Sequence, residues 1–132
     1  MKKIIITLCF LISSALAEID WDFYEGAFDT AKEDDKVVLI MFSMVGCKVC
    51  AYMKEKVYTD KAVQEYMDEN FVAVEIDIYD NPDKKKFQVL GTPSYFFLNA
   101  KGENIVPKMV GGAKAADFLL KLKSVMKQFK AR

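Results

Sequence analysis

The chain contains no histidine, and its 132 residues include only three cysteines, three prolines and six glycines. Without histidine the sequence lacks the most common general base, and it cannot build Cys–His or Ser–His catalytic pairs or most zinc sites. The scarcity of glycine and proline excludes a collagen-like or linker-rich chain. Lys plus Arg and Asp plus Glu both number 19, so no excess of positive charge exists to hold nucleic acid or an anionic membrane.

The residues that are present fit one globular domain. A chain of this length leaves no room for two domains of ordinary size. Apolar residues make up 52% of the sequence and charged residues 29%, a balance that argues against disorder. The run of three lysines at 84–86 is interpreted as the solvated face of a helix, and a docking patch is the alternative. We expect a monomer with no nucleic-acid partner.

The first 17 residues have the pattern of a secretory signal peptide. Two lysines follow the initial methionine, positions 4–12 are almost entirely apolar, and positions 15–17 read Ala-Leu-Ala, a typical cleavage pattern. The apolar run is shorter than the stretch of about 20 residues that crosses a bilayer as a helix. We therefore expect cleavage after residue 17 and a periplasmic domain over residues 18–132, with an uncleaved membrane anchor as the alternative. Cleavage would remove Cys9 and two lysines, which leaves two cysteines and a net charge of −2.

Helical and extended patterns alternate along residues 18–132. Helices are predicted where apolar residues recur at helical spacing, and strands where apolar runs have strand length. The predicted order is a helix over 24–31, a strand over 37–42, a helix from 47 to 57, a short helix capped by Thr59 or Asp60, a strand over 71–78, a helix from 81 to 87, a strand over 95–98, a strand over 105–110 and a closing helix over 118–129. Trp21 is expected to pack near the first helix. This order predicts an α/β fold in which a mixed central β-sheet is flanked by helices.

The candidate chemistry lies in Cys47 and Cys50, two cysteines separated by two residues between a predicted strand and a predicted helix. Backbone N–H groups and the helix dipole at a helix N-terminus favour an anion, so they raise the fraction of reactive thiolate at a cysteine placed there. Lys48 adds a positive charge. Cys50 lies one turn further along, close enough to resolve a mixed disulfide formed on Cys47. The spacing therefore predicts a redox-active disulfide, Cys47–Cys50, in which Cys47 attacks.

Three other uses of a cysteine pair compete with redox exchange. A structural disulfide that closes so short a loop removes little entropy from the unfolded chain. A zinc site needs four ligands, whereas this sequence offers one pair and no histidine. A copper-binding thiol module needs only two soft ligands and stays open as a function of a different class. We expect no metal and no cofactor.

The segment 42–50, Phe-Ser-Met-Val-Gly-Cys-Lys-Val-Cys, resembles the active-site segment of the thioredoxin-like superfamily, and Gly91-Thr92-Pro93 resembles its cis-proline loop. The segment 50–63 is similar to the C-terminal domain of DsbD and to SoxW-like periplasmic thioredoxins. The resemblance covers nearly all of residues 21–130. It implies a thioredoxin fold and a periplasmic thiol:disulfide oxidoreductase that reduces protein disulfides and is itself reduced by a membrane thiol reductant of the DsbD or CcdA type. A disulfide oxidant or isomerase is the alternative within the same class of enzyme.

The resemblance also implies a substrate-binding role for Gly46, Thr92 and Pro93. In the family the cis-proline loop faces the cysteines, and the backbone before the proline pairs with the incoming polypeptide in a strand-like manner. An X–Pro bond loses only about 0.5–1 kcal/mol on adopting the cis form, so such a loop is physically accessible.

The sequence departs from the family pattern at Gly46, which stands where the family has a Trp before the first cysteine, and at three positions that concern proton transfer. Met41 stands where thioredoxins commonly keep a buried Asp, Glu75 stands where they often have a Lys, and Lys54 stands where the DsbD domain has a Glu. The usual acids are therefore missing. We expect Glu75 to act as a relocated catalytic base for Cys50, because it lies between two apolar strand residues and can face inward. The alternative is a solvated strand residue.

Overall fold

The computed structural model describes residues 18–132, so the signal peptide predicted over residues 1–17 lies outside the described residues. Within residues 18–132, five strands and four α-helices follow one another with one π-helical turn and one 3₁₀ turn. In chain order they are β1 (Trp21–Asp22), α1 (Tyr24–Asp34), β2 (Val37–Ser43), α2 (Lys48–Tyr52), the π-helical turn (Met53–Val57), α3 (Lys61–Asn70), β3 (Phe71–Asp77), the 3₁₀ turn (Ile78–Asp80), β4 (Ser94–Leu98), β5 (Met109–Val110) and α4 (Ala115–Lys130). No helix in this part of the chain is long and apolar enough to cross a membrane.

The strands form one mixed sheet in the order β1-β3-β2-β4-β5. β2 lies at its centre and pairs in parallel with β3 and antiparallel with β4. Every residue of β2 is buried, because the sheet is covered on both faces. β1 pairs in parallel with β3 at one edge, and β5 pairs antiparallel with β4 at the other. The expected mixed central sheet flanked by helices is confirmed.

Alternate residues of β2 belong to two separate hydrophobic clusters. The even-numbered residues from 38 to 42 pack with α1 on one face of the sheet. The odd-numbered residues from 37 to 41 pack with the π-helical turn, α3 and α4 on the other face, in a cluster that contains Cys50, Tyr58 and Tyr95. The cysteine pair is therefore supported by the face of the sheet that carries most of the helices.

The chain between α2 and α3 contains a helical irregularity followed by a cap. The Tyr58 N–H donates to the Met53 carbonyl oxygen at 2.8 Å, an i→i+5 bond that defines the π-helical turn. α3 then begins after Asp60, whose Oδ1 accepts a hydrogen bond from the Val63 N–H at 3.1 Å. Of the two caps considered from the sequence, Asp60 is the one that the structure uses.

The helix predicted over residues 81–87 is wrong. This segment forms a single turn, in which the Phe87 N–H donates to the Asp83 carbonyl oxygen at 2.8 Å. Phe87 alone is buried among residues 81–87, so no apolar face holds a longer helix against the sheet. The lysines at 84–86 therefore do not form the solvated face of a helix.

The edge strands also differ from expectation. The strand predicted over 105–110 shortens to Met109–Val110, because Pro107 has no N–H to donate to a strand ladder. β1 was not predicted, since two residues give no period. Trp21 lies in β1 and its ring contacts that of Tyr58 at a centroid distance of 5.5 Å, on the opposite face of the sheet from α1. The expected packing of Trp21 near the first helix is therefore wrong.

Candidate active site

Cys47 and Cys50 lie where the chain passes from β2 to α2, and they form a disulfide with a Cα–Cα distance of 5.3 Å. Gly46 has a φ of +81°, a left-handed conformation that glycine adopts without steric penalty. The Cys47 N–H donates to the Met44 carbonyl oxygen at 3.1 Å and closes this turn. Cys47 is partly exposed, whereas Cys50 is only 3% exposed. A partner molecule can therefore reach Cys47 but not Cys50.

The N-terminus of α2 is directed at the sulfur of Cys47. Cys47 is the N-cap residue of α2, and its Sγ accepts a hydrogen bond from the Cys50 N–H at 3.2 Å. The first turn of α2 contains no acidic residue and begins with Lys48. α2 continues into the π-helical turn, so the helical segment extends to Val57. The N–H donor and the helix dipole both favour a negative charge on Cys47.

The loop that contains the Thr92–Pro93 bond leads into β4. This peptide bond is cis. Ser94, the first residue of β4, pairs with Phe42 near the end of β2, so the loop lies at the end of the sheet from which β2 leads to Cys47. The Gly111 N–H donates to the Pro93 carbonyl oxygen at 2.8 Å and holds the loop from its other side.

Glu75 lies in a cleft of about 640 Å³ that Cys47 and Cys50 also line. Its side chain is 23% exposed, and its Oε1 accepts a hydrogen bond from Ser43 Oγ at 2.8 Å. Lys54 Nζ forms an ion pair with the same oxygen. Both of these contacts are made to Oε1. Two partners thus hold the carboxylate of Glu75 in place at Oε1.

The contact between Lys54 and Glu75 was not foreseen from the sequence. Each position carries the opposite charge from the residue that the family pattern places there, and the structure pairs the two with each other. Two reversals of charge in one candidate site were the signal that could have found this ion pair. Ser43 gave no such signal, since nothing in the local sequence distinguishes it from other loop serines.

A second group missed from the sequence consists of Tyr58, Tyr95 and Met41. The Tyr58 hydroxyl oxygen lies 3.1 Å from the Tyr95 hydroxyl oxygen and 3.1 Å from Met41 Sδ. Burial raises the pKa of Tyr58 well above its ordinary value and raises the pKa of Tyr95 to about 12, and the charge of Glu75 adds to both shifts. Both phenols are therefore protonated at neutral pH, and Met41, at the position of the family's buried Asp, contacts the neutral hydroxyl of Tyr58.

The structure brings most of the predicted site residues together. Gly46, Cys47, Cys50 and Glu75 line one cleft, and the Thr92–Pro93 loop lies at the same end of the sheet. Within residues 18–132, no group of three or more His, Cys, Asp or Glu side chains is arranged to hold a metal ion.

Comparison with known families decides the classification. Residues 24–126 match the family model of the thioredoxin-like domain. The chain belongs to the thioredoxin-like family. The predicted thioredoxin fold and the resemblance to thioredoxin-like proteins are confirmed, and the predicted Cys47–Cys50 disulfide is present in the structure.

Individual relatives cover different shares of the chain. It is 30% identical over 78 residues to spermatogenesis-associated protein 20 of Rattus norvegicus, and the aligned region covers 58% of this chain and 10% of that protein. It is 22% identical over 126 residues to the disulfide bond reductase DsbH of Chlamydia pneumoniae, which covers 86% of this chain and 76% of DsbH. The oxidised C-terminal domain of Neisseria meningitidis DsbD superimposes with a TM-score of 0.63 at 22% identity, covering 82% of this chain and 98% of that domain. The chain thus spans only 10% of the length of the first curated relatives that it matches.

Proposed function

We propose that this chain is a periplasmic thiol:disulfide oxidoreductase that reduces the disulfides of other proteins. The observation that carries the proposal is the Cys47–Cys50 disulfide at the start of α2, with one cysteine accessible and the other buried. Disulfide exchange needs an attacking thiolate, a resolving thiol and a docked partner. The name of the relative DsbH, a disulfide bond reductase, supports the reductive direction.

The exchange proceeds through a mixed disulfide. In the reduced enzyme the Cys47 thiolate attacks one sulfur of the substrate disulfide and releases the other sulfur as a thiolate. Cys50 then loses its proton and attacks Cys47 Sγ, which releases the second substrate thiol and forms the Cys47–Cys50 disulfide. Two electrons pass from the cysteine pair to the substrate. A membrane thiol reductant of the DsbD or CcdA type returns two electrons to the pair.

The substrate docks between Gly46 and the Thr92–Pro93 loop. The backbone of Thr92 offers strand-like hydrogen bonds to an extended polypeptide, which brings the substrate disulfide to Cys47. Two large apolar side chains flank this region: Val45 is 90% exposed and Leu90 is 96% exposed. They supply contacts for apolar residues next to the substrate cysteine.

Glu75 acts as the base for Cys50. Resolution requires a thiolate at a cysteine that is 3% exposed, and an apolar environment disfavours the charged form of a thiol. Met41 has no group that accepts a proton at neutral pH. Glu75 lines the same cleft as Cys50, and its carboxylate takes the proton while Ser43 and Lys54 hold it in place at Oε1.

The roles of the two cysteines are tested by a pair of serine variants. Cys50→Ser should accumulate substrate as a mixed disulfide on Cys47, whereas Cys47→Ser should trap none, because the exposed cysteine attacks first. Non-reducing electrophoresis and intact mass after incubation with an oxidised substrate protein measure the trapped species. Trapping by Cys47→Ser instead of Cys50→Ser would reverse the two roles.

The direction of electron flow is tested by the equilibrium potential of the Cys47–Cys50 pair against glutathione. A value of about −270 mV is typical of a thioredoxin-like reductant, whereas about −120 mV is typical of a strong oxidant and would contradict the proposal. Titration of the reduced protein with Cu(I) tests the function of a different class. A tight one-to-one copper complex together with no disulfide reductase activity would favour a copper-binding thiol module.

The role of Glu75 is tested by Glu75→Gln in single-turnover reduction of a disulfide peptide. The variant should slow decay of the mixed disulfide by about 10²- to 10⁴-fold, the usual effect of losing a general base, and leave the attack by Cys47 unchanged. Glu55→Gln is the matched control, because Glu55 lines the same cleft and is exposed. Equal decay rates in Glu75→Gln and wild type from about pH 6 to about pH 9 would show that Glu75 is only a strand residue.

Export is tested by the intact mass of the protein recovered from the periplasm. Cleavage after residue 17 predicts a mature chain that begins at Glu18. A mass that retains residues 1–17 would mean an anchored protein instead.

A further inference from the structure

A groove of about 510 Å³ lies beside β4, between the turn at residues 83–87 and the segment that leads to β5. Four cationic side chains line it, whereas no described Asp or Glu does: Lys85, Lys86, Lys108 and Arg132. This is an uneven placement, since residues 18–132 carry a net charge of −2. We refer to it as the cationic groove. It shares no lining residue with the cleft around Cys47, so an occupant leaves that cleft open.

We propose that the cationic groove binds an acidic, partly apolar segment of a partner polypeptide. Its positive charges come from three parts of the chain that the fold brings together: the turn before β4, the segment before β5 and the end of the chain beyond α4. Opposite charge attracts a polypeptide rich in Asp and Glu. The proposal also gives a role to Lys85 and Lys86 of the lysine run at 84–86, for which the helical interpretation failed.

Three of the four cations are held in place by contacts within the protein. The Lys108 ammonium donates to the Gln88 carbonyl oxygen and lies 6.0 Å from the centre of the Phe96 ring. The Arg132 guanidinium donates to the Ile105 carbonyl oxygen at 2.8 Å. The Lys86 ammonium lies 5.3 Å from the centre of the Phe87 ring, within the range of a cation–π contact.

This anchoring matters for binding. A side chain that is already held loses less conformational freedom when a ligand arrives, so more of the attraction appears as affinity. An ammonium group has three N–H donors and a guanidinium has five, so Lys108 and Arg132 keep donors for a carboxylate after their contacts to backbone carbonyls.

The remaining lining favours a polypeptide over a bilayer. The same groove is lined by apolar side chains of Phe96, Ile105, Val106 and Pro107. A segment that alternates carboxylates with apolar residues satisfies both kinds of lining at once. A membrane surface presents a broad array of headgroups and cannot follow a concave groove, so lipid is the less suitable occupant.

The test is direct binding of two fluorescent peptides that differ in charge only. One alternates Glu with Leu, and the other carries Gln in place of every Glu. An exposed ion pair is worth roughly 1.4- to 5-fold in a binding constant, so two or three such pairs predict about tenfold tighter binding of the Glu peptide at low ionic strength. The difference should disappear at about 0.5 M salt, where screening is strong. Fluorescence anisotropy with the full protein measures both affinities and does not depend on the proposed reductase activity.

Matched variants locate the binding site. Lys85→Gln/Lys108→Gln should remove the preference for the Glu peptide, whereas Lys32→Gln/Lys61→Gln removes two exposed lysines outside the groove and should retain it. Lys85→Gln alone guards against misfolding, because among residues 18–132 the Lys85 side chain has no hydrogen bond or ion pair. In this single variant the preference for the Glu peptide over the Gln peptide should fall by a factor of roughly 1.4 to 5.

Two outcomes would overturn the proposal in favour of another occupant. The first is that the protein sediments with vesicles of anionic phospholipid, that Lys85→Gln/Lys108→Gln does not, and that the two peptides bind equally. This result would indicate a membrane surface as the occupant. The opposite edge of the sheet has a groove with five carboxylate side chains in its lining, including Asp20, Asp34 and Asp68. Salt-sensitive self-association, lost in the same variant and again without peptide preference, would indicate a second copy of this chain. Equal binding of both peptides with neither effect would remove the site altogether.

Discussion

The buried phenols make a quantitative prediction about alkaline stability. Replacing Tyr95 by Phe removes the hydroxyl that accepts a hydrogen bond from Tyr58 at 3.1 Å. A net loss of about 1 kcal/mol in the free energy of unfolding is expected at neutral pH, the usual contribution of one buried hydrogen bond. Met41 Sδ remains as a partner for Tyr58, so the variant should fold.

The difference in the free energy of unfolding between wild type and Tyr95→Phe changes sign at high pH. Burial raises the pKa of Tyr95 in the folded state to about 12, whereas an unfolded tyrosine ionises near pH 10. The unfolded wild type therefore releases this proton first, and the stability held below pH 10 is lost as pH rises through the folded value. The loss is about 1.4 kcal/mol at pH 11 and approaches roughly 3 kcal/mol above pH 12. Tyr95→Phe escapes this loss.

Wild type and Tyr95→Phe should consequently have equal stability close to about pH 11, with the variant less stable below that pH and more stable above it. Guanidinium unfolding followed by fluorescence measures the difference, because Trp21 is the single tryptophan and its ring centre lies 5.5 Å from that of Tyr58. Tyr79→Phe is the matched removal of one phenol, at a residue that is 77% exposed. Stability curves for wild type and Tyr95→Phe that run parallel from neutral pH to pH 12 would refute the reasoning.

Two further substitutions test local packing. Asp60→Ala removes the acceptor for the Val63 N–H and should lower the free energy of unfolding by about 1 kcal/mol. Asp60→Asn keeps an acceptor oxygen and should retain most of that stability. Guanidinium unfolding measures both variants, and equal losses of stability would disprove the cap. Gly112→Ala would place a Cβ 2.6 Å from Val49 Cγ1 and should destabilise the protein by about 1–3 kcal/mol. Most of that loss should vanish in a Val49→Ala background, and strictly additive effects of the two substitutions would contradict the contact.

Periodicity made most of the fold predictable. The run that forms β2 and the apolar face of α4 are long enough to reveal their type, and both elements are present. β1 has two residues and shows no period. The segment 81–87 opens with Asn-Pro-Asp, a signal for a helix start, but it has no apolar face that would hold more than one turn against the sheet.

The candidate site also contains one part that the sequence predicts and one part that it does not. Cys47 and Cys50 are near neighbours in sequence, so their spacing was informative by itself. Tyr58 and Tyr95 are 37 positions apart, and they meet only because β4 packs beside β2 while the π-helical turn lies over the same face. Pairings of this kind depend on the register of the sheet, which single-sequence patterns do not specify.

The π-helical turn determines how far Tyr58 is rotated about the helix axis relative to Cys50. Its i→i+5 bond accommodates one residue more than an α-helical turn would, and each residue of an α-helix advances the chain by about 100°. Conversion of the turn to α-helix would swing Tyr58 through roughly a quarter of a circle relative to Cys50 and away from Tyr95. A deletion of one residue within 54–56 would remove that extra residue, so the segment would become α-helical while Tyr58 stays in phase with the cysteine pair.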